Sequence, residues 1–87
     1  MATSCIRACD VAHDLTRAGH PDSTRGTAWR PGHRATQASP RTVRCWHDGP
    51  DEQAHLHQYA ARLQARGYTV TLERRKGRRP ALRVTHP

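Results

Sequence analysis

One stripe of residues constrains this chain more than any other feature. Leu56, Tyr59, Ala60 and Leu63 stand at i, i+3, i+4 and i+7, the spacing that sets apolar side chains on one face of an α-helix. The flanking residues agree: Asp48 or Gly49 can cap the start, Pro50 suits the first turn, Asp51 and Glu52 favour the positive end of the dipole, and Gly67 suits a left-handed stop. Gln53, His57, Arg62 and Arg66 fall on the side facing water. A helix with one apolar face needs a second layer to cover it.

That layer can be read on both sides of the helix. Thr42–His47 (TVRCWH) alternates, with Val43 and Cys45 on one face and Thr42, Arg44 and Trp46 on the other. Tyr68–Glu73 (YTVTLE) and Ala81–His86 (ALRVTH) alternate in the same way, setting Val70 and Leu72, then Leu82 and Val84, on one face each. Gly77 turns the chain inside RRKGRR, and Pro80 sits at a strand start, where its missing N–H costs little. The last two runs therefore make a hairpin.

Strand, helix, strand, strand predicts an α+β fold. A right-handed crossover followed by a hairpin places the strands in the order first, third, second. The result is a small three-stranded β-α-β-β sheet, with the helix over the face bearing Val43, Cys45, Val70, Leu72, Leu82 and Val84. This domain is expected to span residues 41–87.

The first forty residues carry weaker patterning. Ser4–Gly19 has Ile6, Cys9, Val11 or Ala12, and Leu15 at roughly helical spacing, with Ser4 as an N-cap and Gly19 as a stop, so residues 1–19 read as an N-terminal helix. His20–Pro40 is rich in Pro, Gly, Ser and Thr and has almost no apolar residue besides Ala28 and Trp29. Ordering a residue costs about 1–2 kcal/mol, and this composition offers little burial to offset it. Residues 20–40 are thus expected to be a flexible linker, and the sharp boundary at residue 40 leaves a further alternative, that residues 1–40 are an upstream extension adding nothing to the core.

Composition bears on function mainly through charge. The 87 residues carry a formal net charge of +8, from fourteen Arg and a single Lys, with no Asn, a bias typical of GC-rich, actinobacterial-like coding. Such a basic chain attracts polyanions whatever the origin of the bias. Three cysteines make an odd number and argue against a disulfide framework. With no hydrophobic run of signal-peptide or membrane-span length, the expected location is the cytoplasm, away from the membrane.

No catalytic constellation stands out. Cys5, Cys9 and His13 fall on one face of the first helix, but structural zinc sites draw a second close ligand pair from elsewhere, and none is present. Cys5 and Cys9 read as small apolar side chains, and no metal or cofactor is expected. The seven histidines are dispersed, Cys45 points into the predicted core, and Asp48, Asp51 and Glu52 are explained as helix-start residues. An enzyme is not expected.

The run from Tyr59 to Glu73, with Ala81–Val84 after it, resembles part of the SPOR family of peptidoglycan-binding modules, which pairs a helix ending in Gly-Tyr with a short hairpin. The resemblance implies half of a ferredoxin-like fold and a cell-wall glycan ligand. The family's leading strand-helix pair is not legible here.

The densest charge lies in the hairpin turn, where Arg74, Arg75, Lys76, Arg78 and Arg79 crowd around Gly77. Guanidinium groups bind phosphate as a fork, and each neutralised phosphate releases counterions. In the predicted topology this turn, the end of the first strand and the helix start share one edge, so Trp46 would neighbour the cations. Arg44, Trp46 and Arg83 would lie together on the uncovered face, with the indole as a stacking platform for an unpaired base. The expected function is nucleic-acid binding, to DNA or RNA, through these eight residues. The rival expectation is a protein-interaction module that completes its sheet by homodimerisation or by docking on an acidic partner.

Overall fold

A computed structural model describes residues 5–24 and 30–87. In chain order the elements are α1 (Ala8–Arg17), β1 (Gly32–Ser39), β2 (Thr42–Asp48), α2 (Glu52–Ala65), β3 (Thr69–Glu73) and β4 (Ala81–Thr85). The strands form one antiparallel sheet in the order β1-β2-β4-β3. Both helices cover one face.

The α+β class and the β-α-β-β unit are as expected, with the order β2-β4-β3. The count of three strands is corrected to four. Residues 32–39, expected to lie in a linker, pair with β2 along Gly32↔Asp48 to Ser39↔Thr42, so the boundary at residue 40 divides a hairpin and not two regions. Gly32 also lets the chain close on itself, because a Cβ there would stand 2.3 Å from the Pro21 carbonyl oxygen. With that space free, His33 N–H donates to Pro21 O at 2.9 Å and Ser23 N–H donates to His33 O at 3.0 Å.

Residues 1–19 also contribute more than expected. Ile6, Val11 and Leu15 are buried in the same core as Val43, Cys45, Leu56, Tyr59, Leu63, Leu82 and Val84. Each fully buried aliphatic side chain of this kind stabilises the fold by about 1.5–3 kcal/mol relative to exposure. Ser4 lies outside the described residues, and the N-cap position is Arg7, with no side-chain cap of its own. Gln37 of β1 substitutes: its Oε1 accepts from Ala8 N–H at 2.9 Å, while its Nε2 donates to Ile6 O at 2.7 Å. The second helix likewise starts later than expected, with Asp51 in the left-handed region at φ 57° as its N-cap and Pro50 outside it.

A relation between the two halves emerges from this topology. Each half is helix, strand, strand, and the centre of the sheet pairs Arg44 with Arg83, flanked by Val43↔Val84 and Cys45↔Leu82. A pseudo-two-fold axis perpendicular to the sheet therefore passes between the two arginines. It relates Ala35, Thr36 and Gln37 on β1 to Val70, Thr71 and Leu72 on β3, as their registers on the inner strands require. The helix ends match as well. His20 and Tyr68 donate to Leu15 O and Leu63 O, Gly19 and Gly67 donate to Thr16 O and Gln64 O, and the two glycines have φ of 95° and 96°. This is the same Schellman stop used twice. No helix among the described residues is long and apolar enough to cross a membrane.

Candidate nucleic-acid interface

Strand alternation fixes which side chains stay uncovered. Since Val43, Cys45, Leu82 and Val84 point to the helices, the neighbouring positions Arg34, Thr36, Arg44, Trp46, Asp48, Thr71, Glu73, Ala81 and Arg83 lie on the opposite face. One row, Thr36–Arg44–Arg83–Thr71, crosses all four strands. Two like charges directly opposite each other are unfavourable. Arg44 is relieved by Glu73, with Nε 3.0 Å from Oε1, whereas Arg83 is exposed and has no ion-pair partner among the described residues.

Trp46 lies between a cation and a gap. Arg34, its direct partner on β1, holds its guanidinium carbon 4.7 Å from the indole centroid, a cation–π contact of about 0.5–1 kcal/mol at an exposed site. Asp48 fixes that arginine at 3.1 Å. Toward β4 the next position in register is the small Ala81. There a cleft of about 230 Å³ opens, lined by Arg34, Trp46, Glu73, Arg75, Arg78, Arg79 and Ala81.

The eight residues singled out from the sequence divide into three groups. Trp46, Arg75, Arg78 and Arg79 meet at the cleft; Arg74 and Lys76 are exposed on the same loop; Arg44 and Arg83 occupy the middle of the open face. The loop turns through Arg78 N–H donating to Arg75 O at 3.0 Å. Arg79 differs from its neighbours, donating to Asp48 at 3.1 Å, to Glu52 at 2.9 Å and to the His47 carbonyl. It clamps the loop to the end of β2 and the start of α2.

Asp48 is the hub of that clamp. Burial works to raise its carboxyl pKa, but hydrogen bonds from Ser23 and Arg79, and the charge of Arg34, prevail and hold it below the ordinary carboxylate value. The Ser23 hydroxyl donates at 2.7 Å. Three separate segments thus converge on one side chain.

Sequence reasoning missed the placement of Arg34 and Glu73 at the cleft. Arg34 lay in a stretch with too few apolar residues to show strand alternation, and Glu73 read only as a strand end. The signal for both is charge complementarity across the sheet, which needs the register before it can be seen.

Beneath the sheet a polar cluster surrounds Tyr59. Its hydroxyl donates to His47 Nδ1 at 2.7 Å, and His47 Nε2 donates to Pro50 O at 3.1 Å, a pairing that fits the neutral imidazole carrying its proton on Nε2. His55 stacks on His47 at 3.9 Å, and His20 and His33 meet Tyr59 edge-on. Burial lowers the pKa of His20, His33 and His47. Burial also pushes the Cys45 thiol up to about 12, which leaves it inert as a nucleophile. Cys5 and Cys9, expected to pack as apolar side chains, are exposed. Among the described residues no group of three His, Cys, Asp or Glu is placed to hold a metal ion.

Comparison with family models, with curated proteins and with solved structures finds no match for this chain.

Proposed function

We propose that this protein is a cytoplasmic nucleic-acid-binding module that grips phosphates with the β3–β4 loop and acts by binding, without catalysis. One observation carries the reading. Arg74, Arg75, Lys76 and Arg78 are exposed on a single loop, and none has an ion-pair partner among the described residues. Four cations so close repel one another until a polyanion arrives, so the loop is costly to the free protein and favourable in a complex. Arg83, with no ion-pair partner among the described residues, adds a further cation on the open face.

The test is a binding titration against salt. Reversing Arg74 and Arg75 to Glu should abolish retention of DNA or RNA at low salt and leave the thermal melt unchanged. Neutralising them singly should reduce the slope of log affinity against log salt by about 0.9 per lost phosphate contact on duplex, or about 0.7 on single strands. If the unsubstituted protein retains neither single- nor double-stranded nucleic acid at low salt, the reading is wrong.

A second reading rests on the sheet edges. The start of β1 is partly covered by the bridge from Asp22 to His33, but β3 pairs with β4 alone among the described residues, leaving Thr69–Glu73 with an open outer edge. A second copy could add its own β3 there. Sedimentation would show a dimer, and Thr71→Lys, a charge on the open edge that leaves the native ladder intact, would return it to monomer.

A further inference from the structure

The cleft beside Trp46 combines three recognition chemistries that meet in one kind of ligand. Its wall is the indole, with Arg34, which also lines the cleft, holding its guanidinium carbon 4.7 Å from the ring centroid. Its floor is Ala81, small enough to leave the space open. Across the cleft stands Glu73, whose Oε1 is anchored by Arg44 at 3.0 Å. At its rim Arg75 and Arg78 are exposed.

An indole face attracts another flat ring, an ionised carboxylate only accepts hydrogen bonds and so demands N–H donors, and a guanidinium fork takes phosphate. A nucleotide offers all three at once. In a duplex, however, the base faces are stacked on their neighbours and the Watson–Crick edges are already paired, so only an unpaired nucleotide can present them together. At about 230 Å³ the cleft is smaller than the roughly 300–1,000 Å³ of a drug-sized site, on the scale of one planar ring system.

Resting on the nucleic-acid reading above, we propose that this cleft is a subsite for one unpaired nucleotide of single-stranded RNA or DNA, its base stacked on Trp46, its edge on Glu73 and its phosphate on Arg75 and Arg78. Glu73 sets the base preference. Guanine presents two adjacent N–H donors that match a carboxylate, whereas uracil and thymine present one N–H between two carbonyl oxygens that a carboxylate repels. Guanine should bind best, and uracil or thymine worst.

The experiment uses the full chain and fluorescence anisotropy with labelled octamers of uridine, the same octamer with one central guanosine, the two corresponding DNA octamers, and a blunt duplex. The expected result is about tenfold tighter binding for the guanine-containing single strands, Trp46→Leu weakening binding by about tenfold, in the range for loss of one stacked base, and Glu73→Gln, which also frees Arg44, reducing the guanine preference while the uridine octamer binds at least as tightly as before. In a Trp29→Phe background, where Trp46 is the sole tryptophan, the guanine-containing strand should quench emission and the duplex should not. The Glu73→Gln comparison needs neither tryptophan substitution, so a folding defect in those variants leaves the test intact. Equal affinity for all single strands, or equal quenching by the duplex, overturns the subsite while salt-dependent retention keeps the phosphate reading. Loss of all retention overturns both.

Discussion

Arg79 sits among the cations of the β3–β4 loop, yet its contacts assign it to the fold, and replacing it separates that role from ligand binding. Its guanidinium reaches Asp48, Glu52 and the His47 carbonyl. The side chain is 47% exposed, which places its ion pairs in the range of about 0.2–1 kcal/mol each, with the Asp48 pair at the upper end because Asp48 is 16% exposed. Adding a charge-assisted bond to a carbonyl brings the sum to about 2 kcal/mol for Arg79→Ala. For a domain of this size a loss of 1 kcal/mol lowers the melting temperature by roughly 4–8 °C, so the expected drop is about 8–16 °C. Arg78→Ala removes an exposed side chain with no ion-pair partner among the described residues and should change stability by less than about 0.5 kcal/mol. Circular-dichroism melts of both variants, with a double-mutant cycle against Glu52→Gln, measure the difference, which should shrink at about 1 M salt, where the screening length falls to about 3 Å. An Arg79→Ala protein that melts within about 2 °C of the unsubstituted one and loses nucleic-acid affinity as Arg78→Ala does would refute the clamp.

Two further outcomes follow from the core. Leu15 of α1 is fully buried, so Leu15→Ala should cost about 2–5 kcal/mol of a total near 5–15, and an unchanged melt would show that α1 does not belong to the folded unit. Acid should also unfold the protein early. The pKa values of His20, His33 and His47 are lowered first by burial, with the Arg62 charge adding to this at His20 and the Asp22, Asp48 and Glu52 carboxylates opposing it at the other two. The folded state then binds fewer protons than the unfolded one, so this stability is complete above about pH 6.5 and drains away as pH falls below it. The Asp48 contribution has the same sign and is lost in a separate window, below the ordinary carboxylate value. A melting temperature that stays level from pH 7.5 to about 5.5 would refute the neutral histidine cluster.

What the sequence made legible was the part of the fold held by aliphatic alternation. Leu56, Tyr59 and Leu63 announce α2, and Val43, Cys45, Leu82 and Val84 announce the strands beneath it, because burying an apolar side chain demands the periodicity that reveals it. β1 obeys a different economy. Its helix-side positions are His33, Ala35 and Gln37, two of them polar: His33 is buried and meets Thr16 through Nε2 at 3.2 Å, while Gln37 is exposed at the margin and bonds the N-terminal segment. Those partners are distant in sequence, so a local reading sees a polar segment and infers a linker. The same limit applied to the site. The cationic loop was visible as a run, whereas the clamp on Arg79 and the pairing of Arg34 with Trp46 depend on a register that no single stretch encodes.

The pseudo-two-fold arrangement explains why the cleft occurs once. The axis through Arg44 and Arg83 maps Trp46 onto Thr85, and maps the short turn between Ser39 and Thr42 onto the long cationic loop between Glu73 and Ala81. The shared parts are those that any helix-strand-strand unit needs: a Gly-stopped helix, an apolar inner face and an antiparallel seam. Trp46 and the loop are where the halves depart from one another, and they adjoin because antiparallel pairing of the inner strands brings the end of β2 beside the start of β4. Neither half alone assembles an indole wall with a cationic rim. If the cleft binds, it depends on residues outside the plan the halves share, and Trp46→Thr, matching its counterpart Thr85, would leave the chassis folded and the subsite gone.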